Sequence, residues 1–193
     1  METKKMVMIP GPTPVVKSIQ EQMGREIQAF GDPRFVADYR KLIADLLNCS
    51  GKTFPLAGTG TLAMEMAISN TTKKGDSVLI VSHGFFGDRF IEICEKKGLD
   101  VDVLSAEWGT TVPVETIEAK LKEKKYAAIT VSHVDTATGV RADIEEIGKM
   151  IEETSPDTIY IVDGVAATGG EYTDVDGMKI DILFTGSQKA FGV

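Results

Sequence analysis

The sequence contains little cysteine and no cysteine pair at metal-binding spacing. Its two cysteines, Cys49 and Cys94, lie far apart, and no CxxC motif occurs. This excludes a disulfide-rich scaffold and a zinc cluster held by several cysteines. Such sparse cysteine is typical of proteins from a reducing compartment, so we expect a cytoplasmic protein.

Long apolar runs and an excess of positive charge are also missing. No run reaches the roughly 18 apolar residues that a membrane-spanning helix needs, and the apolar stretch before Pro10 is too short for a signal peptide. Lys and Arg number 21 against 29 Asp and Glu, a net charge of −8. A chain with this net negative charge lacks the basic surface that binds nucleic acid or an anionic membrane, so we expect a small-molecule partner.

The sequence has an alternation of short apolar runs with amphipathic stretches. Residues 1–50 form a proline-rich arm with two predicted helices, at 15–23 and 33–47. Residues 51–193 predict six strands, at 53–57, 77–82, 101–104, 126–132, 158–163 and 181–185. They also predict four helices, at 61–70, 87–97, 113–122 and 144–153. Continuous runs such as 127–131 and 159–162 do not alternate polar with apolar residues, so helices are expected on both of their faces. This predicts an α/β fold: a mostly parallel sheet with helices on both faces.

Two of these helices carry start signals. Asp143, followed three residues later by Glu146, predicts an N-cap for the helix at 144–153. Pro113 suits the first position of the helix at 113–122. Both signals support the predicted strand-helix alternation.

Candidate functional residues follow the predicted strands, because ligands of open parallel sheets bind beside the carboxyl ends of the strands. Gly58-Thr59-Gly60-Thr61 follows the first run and opens a helix, whose free N–H groups and positive dipole end suit a phosphate. Asp163 ends the fifth run, where a buried carboxylate needs a cationic or proton-donating partner. Lys189 follows the last run and places an amine there.

Each of these features alone allows another interpretation. Residues 58–63 also match the G-x-G-x-x-A dinucleotide fingerprint, although Ser82-His83-Gly84 stands where that fingerprint expects an acidic residue. The glycines also suit a simple tight turn between a strand and a helix. Asp163 alone could equally form a turn or cap a helix. A nucleotide-binding Rossmann-like module without lysine chemistry therefore stays open as an alternative.

Together, the three features match the anchors that pyridoxal 5'-phosphate needs. The helix N-terminus suits its phosphate, and the acid at Asp163 pairs with the protonated pyridine nitrogen. The amine of Lys189 forms the Schiff base with the aldehyde. His83 and His133 are the only histidines and have no third ligand nearby in the sequence, so we expect no metal site.

Six motifs in order along the chain carry a resemblance to a known family. They are residues 10–12 (PGP), 58–65 (GTGTLAME), 84–89 (GFFGDR), 132–139 (SHVDTATG), 162–170 (VDGVAATGG) and 181–189 (DILFTGSQK). On these motifs the sequence resembles the class V aminotransferases of fold type I, nearest the alanine-glyoxylate and serine-pyruvate aminotransferase group.

The resemblance implies a role for each matching residue. It makes Lys189 the Schiff-base lysine and Asp163 the partner of the pyridine nitrogen. The other residues that it places around the cofactor are Thr59, Gly60, Thr61, Phe86, Thr136 and Gln188. Gly11 would line the substrate pocket.

Two positions depart from the family pattern. Thr61 stands where the family often has a histidine, so one phosphate contact is expected to be weaker or rearranged. Phe86 stands where the family often has a tryptophan over the cofactor ring, and its smaller π-face still permits stacking.

The implied reaction is amino transfer from a small amino acid, such as alanine or serine, to a 2-oxo acid, such as glyoxylate or pyruvate, by ping-pong Schiff-base chemistry. The resemblance also implies a homodimer. It makes residues 51–193 the major part of the cofactor-binding large domain, truncated after Lys189, and leaves the small C-terminal domain absent. We therefore expect a continuation or a complementing chain to complete the site, the alternative being an inactive fragment.

Two neighbouring families share this fold class. Cysteine desulfurases carry histidines at the positions of Gln188 and Phe86, so they match less well. Phosphoserine aminotransferases also carry Gln-Lys at 188–189 and remain an alternative. The motifs do not identify the amino donor or acceptor.

Overall fold

The computed structural model describes residues 7–26, 29 and 31–193. It begins with α1 (Lys17–Met23) and α2 (Pro33–Leu46), as the sequence predicts. Asp32 caps α2, because its carboxylate accepts a hydrogen bond from the Arg34 N–H at 2.8 Å. Within the predicted segment 1–50, residues 1–6, 27, 28 and 30 lie outside the described ranges.

A five-stranded sheet follows, and it positions the candidate site. Its strands are β1 (Ser77–Ser82), β2 (Asp100–Ser105), β3 (Ala128–Ser132), β4 (Ile159–Asp163) and β5 (Ile182–Phe184). Their order is β2-β1-β3-β4-β5, and every neighbouring pair is parallel. The helices between and before them are α3 (Gly60–Thr71), α4 (Phe85–Lys96), α5 (Val114–Leu121) and α6 (Ile144–Thr154). The predicted α/β class with a parallel sheet is confirmed.

Helices cover both faces of the sheet. Leu79 and Val162 pack with α5 and α6 in one core, whereas Ile80 and Ile161 pack with α3 and α4 in the other. Successive residues of a strand thus enter opposite cores. This double burial explains why the inner strands β1, β3 and β4 are mostly apolar, whereas the edge strand β2 alternates polar with apolar residues.

Residues at the starts of α5 and α6 behave nearly as expected. The Asp143 carboxylate accepts a hydrogen bond from the Glu146 N–H at 3.0 Å, which confirms the predicted N-cap of α6. Pro113 immediately precedes α5 instead of occupying its first position. The predicted helix at 113–122 therefore begins one residue later.

The predicted strand at 53–57 is wrong. This segment has no regular secondary structure and pairs with no strand of the described residues. Phe54 and Leu56 are 64% and 55% exposed. Pro55 has no N–H to donate to a ladder. The Thr53 hydroxyl instead donates to the Arg40 carbonyl at 3.0 Å, so the segment lies along α2 and leads into α3.

The apolar spacing of α2 correctly predicts a helix but not a covered face. Phe35, Tyr39, Leu42 and Leu46 are exposed, while Leu47 just beyond the helix is buried in the core. An apolar helix face of this kind is unusual on a free surface. Within the described ranges, no helix is both long and apolar enough to cross a bilayer.

Candidate active site

Four neighbouring strands carry the predicted site residues to one edge of the sheet. β1 leads to Phe86 in the first turn of α4, and β3 leads to Thr136. β4 ends at Asp163, and β5 leads to Lys189. Because these strands are adjacent and parallel, their carboxyl ends lie side by side.

A cavity at this edge brings most of the predicted residues together. Those that line it are Gly60, Thr61, Phe86, Thr136, Asp163, Gln188 and Lys189. Its wall is completed by the apolar residues Met64, Val134, Val165 and Ala166. The two predicted catalytic residues, Asp163 and Lys189, therefore border the same space.

The Lys189 amine is held without an ion pair. Its Nζ atom donates to the Thr136 hydroxyl oxygen at 3.1 Å and lies 5.9 Å from the centroid of the Phe86 ring. In the part of the chain that the structure describes, no carboxylate lies within ion-pair distance of this Nζ. The amine is thus positioned by a neutral acceptor and an aromatic face.

The Asp163 carboxyl group is buried and only partly satisfied. Its residue is 5% exposed, and its Oδ1 atom accepts a hydrogen bond from the Val165 N–H at 2.9 Å. Burial raises the pKa of Asp163 to about 6; the Asp135 charge also raises it, whereas the Val165 N–H and the Lys189 charge lower it. A cationic group in the cavity would stabilise the ionised form.

The N-terminus of α3 offers free donors to the cavity. Thr59 is its N-cap, and the Thr59 hydroxyl accepts a hydrogen bond from the Leu62 N–H at 3.2 Å. The earlier N–H groups, of Gly60 and Thr61, have no acceptor within the helix. A Cβ atom at Gly60 would lie 3.2 Å from Val165 Cγ2, so glycine permits the close approach of α3 to the loop after β4. This end of α3 suits an anion.

The N-terminal arm packs against the segment that carries Lys189. The Thr13 N–H donates to the Gln188 carbonyl at 3.0 Å, and the Thr13 hydroxyl donates to the Lys189 carbonyl at 2.8 Å. A Cβ atom at Gly11 would lie 2.8 Å from Lys189 Cδ. The structure therefore places Gly11 against the lysine side chain, although Gly11 does not itself line the cavity.

A second, larger cavity lies beside the core that α5 and α6 form, and none of the predicted site residues lines it. Its ionisable side chains are His83, Glu115, Asp143 and Glu146. Burial lowers the pKa of His83, so carboxylates dominate this cavity at neutral pH and disfavour a phosphate. Among the described residues, no group of three or more His, Cys, Asp or Glu is arranged to hold a metal ion.

Comparison with known families shows which chemistry this site is related to. The family described as Aminotransferase class-V matches residues 15–193. The chain belongs to this family. The matched range includes every predicted site residue except Gly11, and the resemblance drawn from the six sequence motifs is confirmed.

Relatives of this class-V aminotransferase chain are about twice its length. An uncharacterized aminotransferase from Methanocaldococcus jannaschii is 39% identical, over 96% of this chain and 49% of the relative. Alanine–glyoxylate aminotransferase 1 of Saccharomyces cerevisiae is 34% identical, over 96% of this chain and 51% of the relative. The crystal structure of ureidoglycine–glyoxylate aminotransferase from Bacillus subtilis matches with a TM-score of 0.88 at 30% identity, over 100% of this chain and 51% of that one. The chain thus spans about half the length of these relatives.

The family implies pyridoxal phosphate as its cofactor, and the donor set of the cavity fits that group. The α3 N-terminus suits the phosphate, and the Lys189 amine suits the aldehyde. Asp163 has a buried carboxylate that no lysine or arginine within the described residues binds directly, and this suits a protonated pyridine nitrogen. The individual roles of these residues stay predictions.

One residue at this edge that sequence reasoning missed is Asp135. It is fully buried, directly before Thr136, and its carboxylate accepts hydrogen bonds from backbone N–H groups of two separate segments. The available signal was a carboxylate just after a buried strand, inside the motif at 132–139. The apolar lining residues Met64 and Val165 carried no such signal.

Proposed function

We propose that this chain provides the pyridoxal-phosphate site of an aminotransferase that moves an amino group from a small amino acid, such as alanine or serine, to a 2-oxo acid, such as glyoxylate or pyruvate. The observation that carries the proposal is that Lys189, Asp163 and the N-terminus of α3 border one cavity. The yeast and B. subtilis relatives are both glyoxylate aminotransferases, which supports glyoxylate as acceptor.

The cofactor would be held mainly at its phosphate and across its ring. The N–H groups of Gly60 and Thr61, the Thr59 hydroxyl and the Gln188 side chain would bind the phosphate at the positive end of α3. The Phe86 ring would stack on the pyridine ring. When bound, pyridoxal phosphate supplies an electron sink for the substrate Cα atom.

Asp163 would maintain that sink. Its buried carboxylate would keep a proton on the pyridine nitrogen, because a cation there compensates the cost of burying the charge of Asp163. The Val165 N–H fixes one oxygen of this carboxylate. The role of Asp163 is therefore electrostatic, and it needs no movement during the reaction.

Lys189 would have two tasks. Its Nζ atom would hold the cofactor through its aldehyde carbon. Once freed by the incoming amino acid, the same amine would act as the base that takes the proton from the substrate Cα atom and as the acid that delivers it to that cofactor carbon. Thr136 holds this Nζ atom through the 3.1 Å hydrogen bond. Release of the keto acid before the 2-oxo acid binds would give ping-pong kinetics.

We assign residues 51–193 to the cofactor-binding large domain and residues 1–50 to an arm with helices. We also propose a homodimer, supported by the exposed apolar residues of α2, with a complementing chain as the alternative means of completing the site. Cys49 and Cys94 are both free, which supports a cytoplasmic location.

Borohydride trapping tests the proposal directly. The purified chain is mixed with pyridoxal phosphate, its absorbance is recorded, and the reduced product is mapped by peptide mass spectrometry. We expect the reduced pyridoxal group on Lys189 and no such label in Lys189→Ala. Lys149→Ala, which removes an exposed lysine paired with Glu145, should be labelled on Lys189 with the same yield as wild type. A label absent from Lys189 would contradict the proposal, and NAD binding without such a label would favour the nucleotide-binding module.

A labelled chain is then given alanine or serine and afterwards glyoxylate or pyruvate. Loss and return of the yellow colour would support amino transfer by this chain. Labelling without any such change would instead indicate that the chain binds the cofactor but is inactive alone.

A further inference from the structure

A buried carboxylate links two of the segments that surround Lys189. Asp135 is 0% exposed, and its Oδ2 atom accepts hydrogen bonds from the Phe86 N–H at 2.8 Å and the Gly87 N–H at 3.4 Å. Its Oδ1 atom accepts a third from the Ala137 N–H at 2.8 Å. The first two donors begin α4 and the third lies in the loop after β3, so one carboxylate binds both segments.

The charge of Asp135 is met by backbone N–H groups. Within the described residues, no lysine, arginine or histidine forms an ion pair with it. The positive end of α4 provides compensation instead, since free N–H groups concentrate there. Charge-assisted bonds of this kind are stronger than neutral ones.

The Asp135 carboxyl group occupies the space that a side chain at Gly84 would need. A Cβ atom at Gly84 would overlap the Asp135 carboxyl group, with 2.5 Å to its Oδ1 atom. Gly84 immediately precedes α4, so its missing side chain lets the carboxylate reach the helix N–H groups. Backbone bonds from the Asp135 N–H to Val140 and from the Gly139 N–H to Asp135 close the turn on the other side.

The two linked segments carry the side chains that contact the Lys189 amine. Phe86 provides the aromatic face 5.9 Å from Nζ, and Thr136 provides the acceptor at 3.1 Å. We propose that Asp135 is the positioning residue of this site, whose carboxylate sets Phe86 and Thr136 at the spacing that holds the Lys189 amine. The link to catalysis rests on the proposed function, whereas the link between the segments does not.

Asp135→Asn is the most informative variant. The amide has nearly the same shape but a single acceptor oxygen, so it cannot accept from α4 and from Ala137 together, and its NH₂ group faces one of the N–H donors. In the ligand-free chain we expect amide hydrogen exchange at Phe86 or Ala137 to become at least about tenfold faster, because a buried charge-assisted bond is lost. Asp88→Asn is the control, since Asp88 lies in the same turn of α4 and accepts from the Ser82 hydroxyl instead.

A second measurement tests whether the charge of Asp135 acts at the site, independently of any general loss of stability. Asp135 and Lys189 are the charged groups that act on Asp163, so loss of the Asp135 charge should lower the pKa of Asp163 in the ligand-free chain. Carbon NMR of the Asp163 carboxyl group measures this pKa. We expect a lower value in Asp135→Asn and an unchanged value in Asp88→Asn.

The outcomes also separate this inference from the proposed function. If wild-type Lys189 is not labelled, the proposed function fails, while exchange and titration still decide whether Asp135 links the segments. If wild-type Lys189 is labelled and Asp135→Asn changes neither its labelling rate nor exchange at Phe86 and Ala137, the positioning role is wrong, and a change in exchange without a change in labelling shows that Asp135 links the segments but does not position the amine. Should this variant not fold, through-hydrogen-bond NMR couplings from the Phe86 and Ala137 nitrogens to the Asp135 carboxyl carbon in the wild type decide it, and their absence overturns the inference.

Discussion

Lys189 Nζ donates a hydrogen bond to Thr136 Oγ1 across 3.1 Å, and this bond joins the segment after β5 to the loop after β3. The two strands are separated in the sheet by β4, whose last residue is Asp163. The bond therefore passes over the end of the strand that presents the buried carboxylate. The amine and the acid are held at the same cavity by different strands.

Thr136→Val should weaken the hold on the lysine amine. Valine keeps the shape of threonine but removes the acceptor, so Nζ gains freedom to leave the cavity. We expect the rate of borohydride-trapped labelling at Lys189 to fall about tenfold, a change of about 1.4 kcal/mol. Thr138→Val is the matched control, because the Thr138 hydroxyl lies in the same loop but donates to the His83 carbonyl. Equal rates in both variants would contradict the role of Thr136.

Asp163 should make the ligand-free fold less stable as pH rises. Its pKa is raised from 3.8 to about 6, so between these pH values the native chain holds more protons than the unfolded chain. Stability from this group is complete below the unfolded value, and about 3 kcal/mol is lost as pH rises through the folded value. Asp163→Asn removes this dependence.

Urea unfolding of the ligand-free chain at several pH values between 4 and 7 measures the effect. Relative to wild type, Asp163→Asn should gain stability with increasing pH, and the difference between the two chains cancels the contribution of other carboxyl groups. Asp157→Asn is the control, because Asp157 is exposed, and its curve of unfolding free energy against pH should run parallel to that of the wild type. Parallel curves for Asp163→Asn would show that this carboxyl group titrates normally.

Gly11→Ala should disturb the site more than the fold. The added Cβ atom would lie 2.8 Å from Lys189 Cδ and 3.3 Å from the Gln188 carbonyl oxygen. The flexible lysine side chain can move away at little cost in stability, and the contact with the backbone oxygen needs only a shift of a few tenths of an ångström. The amine would then leave Thr136, so we expect slower labelling of Lys189 with a nearly unchanged urea midpoint. Gly24→Ala serves as control, because its Cβ atom would make only an ordinary contact, 3.6 Å from the Glu21 carbonyl oxygen. Slower labelling in both variants would point to a general effect of the arm.

Sequence reasoning predicted the elements whose patterns are local. Asp143 and the apolar run before Asp163 correctly indicated a capped helix and a buried strand. The strand at 53–57 failed, because an apolar run with Pro55 does not show whether a neighbouring strand exists to pair with it. Whether a helix face is covered also depends on partners, so α2 was predicted as a helix without its exposed apolar face being foreseen.

The candidate site was predictable in its residues but not in its connections. Positions after strands, together with the family motifs, led to Asp163 and Lys189, because parallel strands end at a common edge. The link through Asp135 was missed, since it joins backbone donors of α4 to the loop after β3. Such bonds depend on strand order, which the sequence pattern alone does not give.

Gly148→Ala should destabilise the fold, although alanine is the better helix former. Gly148 lies within α6, and a Cβ atom there would overlap the Met178 carbonyl oxygen and come within 3.2 Å of Tyr160 Cε1. Alanine in a helix gains about 0.5–1 kcal/mol over glycine, but overpacking a backbone atom that cannot turn aside costs about 1–3 kcal/mol or more. Because the overlap is with a backbone oxygen, the cost lies at the upper end of this range, so urea unfolding should show a net loss of about 2 kcal/mol. Gly51→Ala is the control, because its Cβ atom would lie 3.4 Å from Cys49 Sγ, and its stability should stay near that of the wild type. A Gly148→Ala chain as stable as wild type would show that α6 does not pack closely on Met178.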